Sequence, residues 1–278
     1  MKVIRGLSDR AVLNNGVAMP WLGLGVYKTK EGEEVERAVR AALEAGYRSV
    51  DTAAMYQNET GVGRAVRESG VPREQVFLTT KVWNSDQGYD STLKAFEESR
   101  RRLGVEYVDL YLIHWPVKGR YKETWRAMEK LYRDGWVRAI GVSNFQIHHL
   151  QDLMADAEIR PAVNQVEFHP RLTQKTLLSF CREHGIQLEA WSPLMRGHLF
   201  DEPTVRGLAE KYGKTPAQII LRWDLEHQVV TIPKSSHPER IRDNAKVFDF
   251  ELAPEDVAAL DGLNRDQRVG PDPDNFHF

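Results

Sequence analysis

Tyr47-Arg48-Ser49-Val50-Asp51-Thr52-Ala53-Ala54-Met55-Tyr56 begins as a short strand-like run, ends that run on a carboxylate, and follows it with a phenol. The same kind of ending recurs downstream. Val76-Phe77-Leu78-Thr79-Thr80-Lys81 closes on a lysine, and Val108-Asp109-Leu110-Tyr111-Leu112-Ile113-His114 closes on a histidine. Ahead of each strand lies an apolar helical pattern stopped by a glycine: Val35, Ala38, Val39, Ala42 and Leu43 before Gly46; Val62, Ala65 and Val66 before Gly70; Leu93, Phe96, Arg100 and Leu103 before Gly104. Such spacing puts those side chains on one helix face, and glycine supplies the left-handed residue at which helices end. Helix, glycine, strand is the period.

The period runs on. Trp125, Met128, Leu131 and Tyr132 precede Gly135 and the strand at Val137 to Gly141; Ile147, Leu150 and Leu153 lead to Ala162–Val166; Leu177 and Cys181 lead through Gly185 to Gln187–Trp191. A longer helical region that includes Ala217 to Glu226 leads to Val229–Pro233, and Trp21–Tyr27 supplies the first strand. Strands that alternate with helices form parallel βαβ units, and eight of them close a barrel. The expected fold is α/β, a (β/α)8 TIM barrel. An N-terminal β-hairpin is expected at Ala11–Val17, where Asn15-Gly16 suits a type I′ turn. An extra C-terminal helix, roughly Pro254 to Leu263, should be followed by a Pro/Asp-rich tail lying over the barrel. Length alone suggests about two domains of ~150 residues, but barrels of ~250 residues form one. With no linker-like stretch, residues 1–278 are expected to be one domain. A doubly wound sheet would carry a glycine fingerprint after its first strand; Gly61-Val62-Gly63 lacks the third glycine and sits inside a helix pattern.

Net charge of -2 and a pI near 6.5, with scattered and mutually paired charges, offer no patch for nucleic acid or anionic membrane. Small molecules are the expected partners. No apolar stretch approaches the ~20 residues of a membrane span, and the first residues do not begin a secretory signal. The lone Cys181, inside an apolar helical pattern, forms no intrachain disulfide; it is read as a core filler, and a cytoplasmic location is expected.

In such a barrel the active site is built from strand C-terminal ends. Those ends read Asp51, Lys81, His114, Ser143-Asn144, Gln165, Trp191-Ser192 and Ile232-Pro233-Lys234-Ser235. Tyr56 with Lys81 is the pair that can move a proton to oxygen. A phenol has an ordinary pKa near 10, and an ammonium ~4 Å away at an effective dielectric near 20 could lower it by at most a few units. Asp51 is the counterion that keeps Lys81 charged, and His114 as a neutral imidazole can donate a hydrogen bond to a carbonyl oxygen. The set suits carbonyl reduction, given a hydride source.

With these residues the chain strongly resembles the aldo-keto reductase superfamily, from about Leu13 to Phe278. The likeness rests on Gly23-Leu24-Gly25, Asp51-Thr52-Ala53 with Tyr56, Asn58 and Glu59, Lys81 with Trp83, Leu112-Ile113-His114-Trp115-Pro116, Gly141-Val142-Ser143-Asn144-Phe145, Asn164-Gln165 with His169-Pro170, Trp191-Ser192-Pro193-Leu194 and Ile232-Pro233-Lys234-Ser235. It is nearest to the bacterial glyoxal and methylglyoxal reductases, sisters of the 2,5-diketogluconate reductases. The resemblance implies a (β/α)8 barrel, usually a monomer, that binds NADPH across its mouth without a Rossmann fold. It implies a catalytic tetrad of Asp51, Tyr56, Lys81 and His114, with Tyr56 as proton donor. It gives Ser143, Asn144 and Gln165 to the nicotinamide carboxamide, Trp191 to the ring face, Ser192 and Leu194 to the pyrophosphate, Lys234, Ser235 and Arg240 to the 2′-phosphate, and Asn244 to adenine. Gly25, Val26, Tyr27, Asp51 and Ile232 complete the cofactor path. A clamp of Lys and Arg agrees with a 2′-phosphate, since a free ribose diol wants an acid.

Few residues separate Trp115-Pro116 from the helix at Thr124, and the tail is short, so an open, weakly selective pocket is expected. Tyr27, Met55, Tyr56, Trp83, Asn84, His114 and Trp115 are its expected wall, suited to small aldehydes and dicarbonyls. No strand-end cluster of His, Asp and Glu suggests a metal. Two other readings stay open: a Schiff-base lyase using Lys81, and an NADPH-binding sensor or regulatory subunit with little turnover.

Overall fold

The computed structural model describes residues 3–276; the extreme ends of the expected 1–278 unit, Phe278 included, lie outside the described residues. A two-stranded antiparallel hairpin, β1 (Arg10–Val12) and β2 (Ala18–Pro20), comes first. Its turn differs from expectation. Gly16 donates to the Leu13 carbonyl, and Gly16 has a positive φ of 85° while Asn15 does not. This is a type I turn followed by a glycine bulge, in which only one residue need be left-handed.

Eight parallel strands follow: β3 (Leu24–Gly25), β4 (Ser49–Asp51), β5 (Phe77–Val82), β6 (Val108–Ile113), β7 (Val137–Ser143), β8 (Val163–Glu167), β9 (Gln187–Trp191) and β10 (Val230–Thr231). They are hydrogen-bonded in that order. Bridges from Leu22 to Thr231 and from Gly25 to Lys234 join the last strand to the first and close the barrel. The regular part of β3 is only two residues long, shorter than the expected Trp21–Tyr27, because this strand meets β10 through single bridges rather than a continuous ladder. The strands are buried on both faces, inside by each other and outside by helices.

The helices between them are α1 (Glu33–Glu44), α2 (Glu59–Glu68), α3 (Tyr89–Leu103), α4 (Tyr121–Arg133), α5 (Ile147–Asp156), α6 (Lys175–Glu183), α7 (Pro203–Tyr212) and α8 (Pro216–Glu226). Thus the region expected to be helical before the last strand is two helices. Two more, α9 (Pro238–Asn244) and α10 (Pro254–Asp261), follow β10. Gly46, Gly70, Gly104, Gly135 and Gly185 all have positive φ just beyond the helices they were expected to stop. Cys181 is fully buried in the core.

Gly61 and Gly63 lie inside α2, and Gly63 is there for contact with α3. A Cβ at that position would sit 1.9 Å from the Leu103 carbonyl oxygen. Gly207 in α7 has open space around it. An exposed helical glycine replaced by alanine ordinarily gains about 1 kcal/mol, whereas overpacking costs about 1–3 kcal/mol. Urea denaturation is therefore expected to give opposite signs: a lower midpoint for Gly63→Ala and a higher one for Gly207→Ala.

Candidate active site

A cleft of about 300 Å³ opens at the C-terminal end of the barrel, lined by Gly25, Tyr27, Asp51, Met55, Tyr56, Trp83, His114, Trp115, Ser143, Asn144, Gln165, Trp191, Ser192, Ile232 and Lys234 among others. The strand ends deliver these side chains together. Tyr56 arrives separately, as the last residue of a short 3₁₀ turn, Ala54–Tyr56, immediately after β4.

Lys81 is the centre of the polar floor. Its ammonium donates to Asp51 Oδ1 at 2.6 Å, to the Thr52 carbonyl at 2.9 Å and to Tyr56 Oη at 3.3 Å. Burial alone would strip its proton, but Asp51, helped by Tyr56 and Glu189, outweighs that and raises the pKa above the ordinary lysine value. Tyr56 behaves contrary to expectation. Burial, with Asp51 adding, pushes its pKa up to about 12 despite the opposing Lys81 charge. The physical reason is that burial disfavours the charged phenolate by more than the Lys81 ammonium, partly offset by Asp51, favours it.

His114 is held well below the ordinary histidine range by burial, with Lys81 adding, so the ring is a neutral imidazole. Its Nδ1 is buried without a hydrogen-bond partner among the described residues. The ring stands edge-on to both Tyr56 and Trp83, at centroid distances of 5.7 Å and 5.1 Å.

The opposite wall is a hydrogen-bonded chain. Trp191 Nε1 donates to Asn144 Oδ1 at 2.8 Å, Asn144 Nδ2 donates to the His114 carbonyl at 3.0 Å and to Ser143 Oγ at 3.2 Å, and Ser143 Oγ donates to the Gln165 carbonyl at 2.8 Å. Asn144 and Ser192 both hold left-handed backbone, with φ of 63° and 48°. Strained positions of this kind gather at functional sites.

Not every expected residue reaches the cleft. Asn84 is buried with both amide atoms sealed from solvent and is not part of the wall. Val26, buried, and Leu194, packed against the core, lie off the lining, as do Ser235, Arg240 and Asn244. The last two stand on α9 beyond Lys234, with Arg240 exposed and Asn244 buried. Neither Lys234 nor Arg240 has a carboxylate partner among the described residues.

The tail also contributes, as Gly270, Pro271 and Phe276 line the cleft. Phe276 stacks on Trp115 with ring centroids 4.3 Å apart, so the short tail walls one side of a pocket expected to be open. It is tied down by Glu167, which accepts from Val269 N at 2.6 Å and Gly270 N at 3.0 Å and pairs with buried His169 at 2.8 Å. A second tie joins Asp274 to His148 Nε2 at 3.0 Å. The neighbouring His149 accepts from Gln146 N through Nδ1, which places its own proton on Nε2, towards Asp274.

A closed parallel barrel carrying a proton-loaded Tyr, Lys, Asp and His set at its C-terminal mouth is the site of a carbonyl-directed oxidoreductase. The chain belongs to the aldo/keto reductase family, whose sequence profile matches residues 21–265. It is 62% identical over 272 residues to the glyoxal reductase of Bacillus subtilis, covering 98% of this chain and 99% of that protein. To the methylglyoxal reductase DkgA of Escherichia coli it is 47% identical over 268 residues, covering 95% and 96%. Among solved structures, a Bombyx mori aldo-keto reductase in complex with NADP superposes with a TM-score of 0.90 at 39% identity, covering 95% of each chain.

Removing one partner of a buried ion pair strands the other, at a cost of about 3–5 kcal/mol. Lys81→Met is expected to lower stability by that order in urea denaturation. Folded Lys81 holds its proton above the ordinary lysine range, so the loss should be steady near neutrality and shrink as pH rises past about 10.4; a loss that grows there would contradict this account.

Proposed function

We propose that this chain reduces small aldehydes and α-dicarbonyls of the glyoxal and methylglyoxal type to hydroxy compounds, using NADPH, with Tyr56 as the proton donor. The observation that carries the reading is the buried chain Asp51–Lys81–Tyr56, with contacts of 2.6 Å and 3.3 Å, beside a neutral His114 whose Nδ1 has no hydrogen-bond partner among the described residues. The relatives named above are a glyoxal reductase and a methylglyoxal reductase, and a neighbour of known structure holds NADP.

When bound, NADPH supplies a hydride from nicotinamide C4 to the carbonyl carbon. The residues of this chain do the rest. His114 is suited to donate a hydrogen bond to the carbonyl oxygen, and a neutral donor fixed in a dry site polarises that bond without reorganising. Tyr56 then gives its proton to the oxygen as negative charge gathers there. With a pKa pushed up to about 12 the phenol is fully protonated at neutral pH, so the donor is always loaded. Lys81 steadies the phenolate left behind, and Asp51 keeps Lys81 charged.

The cofactor-facing residues suit the group. Trp191, half-exposed and fixed by Asn144, offers a flat face beside Ser143 and Gln165. Ser192, in the cleft lining, would meet the pyrophosphate, with Leu194 packed against the core behind it. Lys234, Ser235 and Arg240 would grip the 2′-phosphate, the two cations having no carboxylate partner among the described residues, and Asn244 would meet adenine. Tyr27, Met55, Trp83, Trp115 and Phe276 make the substrate wall. A lysine kept as an ammonium by Asp51 is a poor amine nucleophile, which weighs against a Schiff-base lyase.

Tyr56→Phe should lose about 10²–10⁴-fold of NADPH-linked methylglyoxal reduction, the range for a lost general acid, while NADPH affinity by fluorescence titration stays unchanged. Normal turnover by that variant would overturn the mechanism. Phe276→Ala removes packing from one wall and should raise KM for methylglyoxal several-fold with kcat within about twofold, the pattern of lost uniform binding.

A further inference from the structure

The barrel interior beneath the cleft holds a second buried carboxyl, which accepts its hydrogen bond from Gln165 rather than from Lys81, Tyr56 or His114. Glu189 lies on β9, is 1% exposed, and sits in register with Gln165 on β8. Gln165 Nε2 spends both hydrogens inward: one on Asp51 Oδ2 at 2.7 Å, the other on Glu189 Oε2 at 2.8 Å. An amide flanked by two carboxyls must present its nitrogen to them, so its own oxygen is left for the cleft that Gln165 lines. Glu189 Oε1 has no partner among the described residues.

Charge does not balance if both acids ionise. Lys81 is the one ammonium on this floor, and it makes its ion pair with Asp51. A buried carboxylate with a single bond from a neutral amide, and a like charge nearby, is costly. Burial, with Asp51 adding, accordingly pushes the Glu189 carboxyl up to about 8, against the smaller opposing effects of Gln165 and Lys81. Near neutrality it is a neutral acid whose proton falls to the unpartnered Oε1. The other groups facing this floor titrate elsewhere: His114 is held neutral, Lys81 is raised, and Tyr56 lies at about 12.

We propose that Glu189 is a positioning residue that fixes the Gln165 amide and, by gaining or losing its proton, sets how strongly the site prefers oxidised over reduced nicotinamide cofactor. The inference rests on the nicotinamide cofactor reading given above. The two cofactor forms differ by the positive charge of the oxidised ring. A neutral Glu189 leaves that charge unrewarded, which favours binding of the reduced form and turnover in the direction of reduction. An ionised Glu189 adds a negative charge to the floor and favours the oxidised form.

The experiment is the dissociation constant of NADP+ and of NADPH, each measured by quenching of tryptophan fluorescence from about pH 6.5 to pH 9.5, where the unperturbed His and Lys ranges bracket the window. The ratio of the two constants is the readout. The 2′-phosphate titrates near pH 6 in both forms and cancels from it, as does any change at Lys234 or Arg240. In the native protein, binding of NADP+ relative to NADPH should strengthen about tenfold across the window, the factor equivalent to one pKa unit of linkage between ring and carboxyl. Glu189→Gln, which keeps the shape and cannot ionise, should hold the ratio at its low-pH value throughout. A ratio independent of pH in the native protein overturns the proposal, whether or not the variant folds. A slope that survives in Glu189→Gln overturns it as well. Failure of the native protein to bind either cofactor would instead overturn the nicotinamide cofactor reading itself, so the two failures are distinguishable.

Discussion

The ion pair between Lys81 and Asp51 is the constraint on which the rest of the mouth depends. Its contact is 2.6 Å, with side chains 0% and 3% exposed, and its two partners come from neighbouring strands β5 and β4. A pair this dry is no bargain in stability, since an apolar pair of similar volume would do as well or better. Its presence therefore calls for a chemical reason. Each remaining valence is also satisfied by the surroundings: the Thr52 carbonyl and Tyr56 take the other ammonium hydrogens, and Gln165 reaches across from β8 to the second Asp51 oxygen. Walls on opposite sides of the barrel are thus tied through one charge.

That matching of charge decides what the site presents to a ligand. Because burial, with Asp51 adding, outweighs the pull of Lys81, the phenol keeps its proton, and because burial is reinforced by the nearby Lys81 charge, the imidazole stays neutral. The cleft floor therefore offers two neutral donors, Tyr56 and His114, rather than a phenolate and an imidazolium. Neutral donors in a water-poor site attract an oxygen most strongly when it gains charge, which is the condition for acting on the transition state rather than the substrate. In the proposed reaction the lysine would serve the moment after proton transfer, when a phenolate must be held.

The strand ends were legible in the sequence because a polar residue that closes an apolar run sits at the C-terminal rim, where a barrel of this kind builds its site. Asp51, His114, Ser143, Asn144, Gln165 and Trp191 all reach the cleft as their positions implied, and Lys81 lies fully buried just beneath it against Asp51. The acids inside the strands were not legible. Gln187-Leu188-Glu189-Ala190-Trp191 alternates polar and apolar, which reads as a strand with a solvated face. In a barrel whose outside is covered by helices, the polar face at this level is the interior one, and Glu189 is buried there. Glu167, the last residue of β8, is buried too. The signal available was an acid two residues from a strand-end site residue, as Glu167 is from Gln165 and Glu189 from Trp191. The acidity of Tyr56 was misjudged for another reason: pairwise charge was visible in the sequence, but the depth of burial was not.

Glu167 also explains how so short a tail can shape a pocket. A strap held only by packing would need apolar residues of its own, and Gly270-Pro271-Asp272-Pro273-Asp274 has few. The rim carboxylate instead takes two backbone N–H groups, at Val269 and Gly270, and the buried His169 locks it from below. Burial alone would make Glu167 a weaker acid, yet these three contacts bring it below the ordinary glutamate range, so the anchor is a carboxylate and the bonds to it are charge-assisted. The anchor uses main-chain donors, and Gly270 must stay glycine because a Cβ there would sit 2.3 Å from the Trp191 ring. With Asp274 tied to His148 as a second fastening, Phe276 against Trp115 can differ without disturbing either tie. The cleft wall can then change at the tail while Asp51, Lys81 and His114, at the ends of β4, β5 and β6, stay as they are.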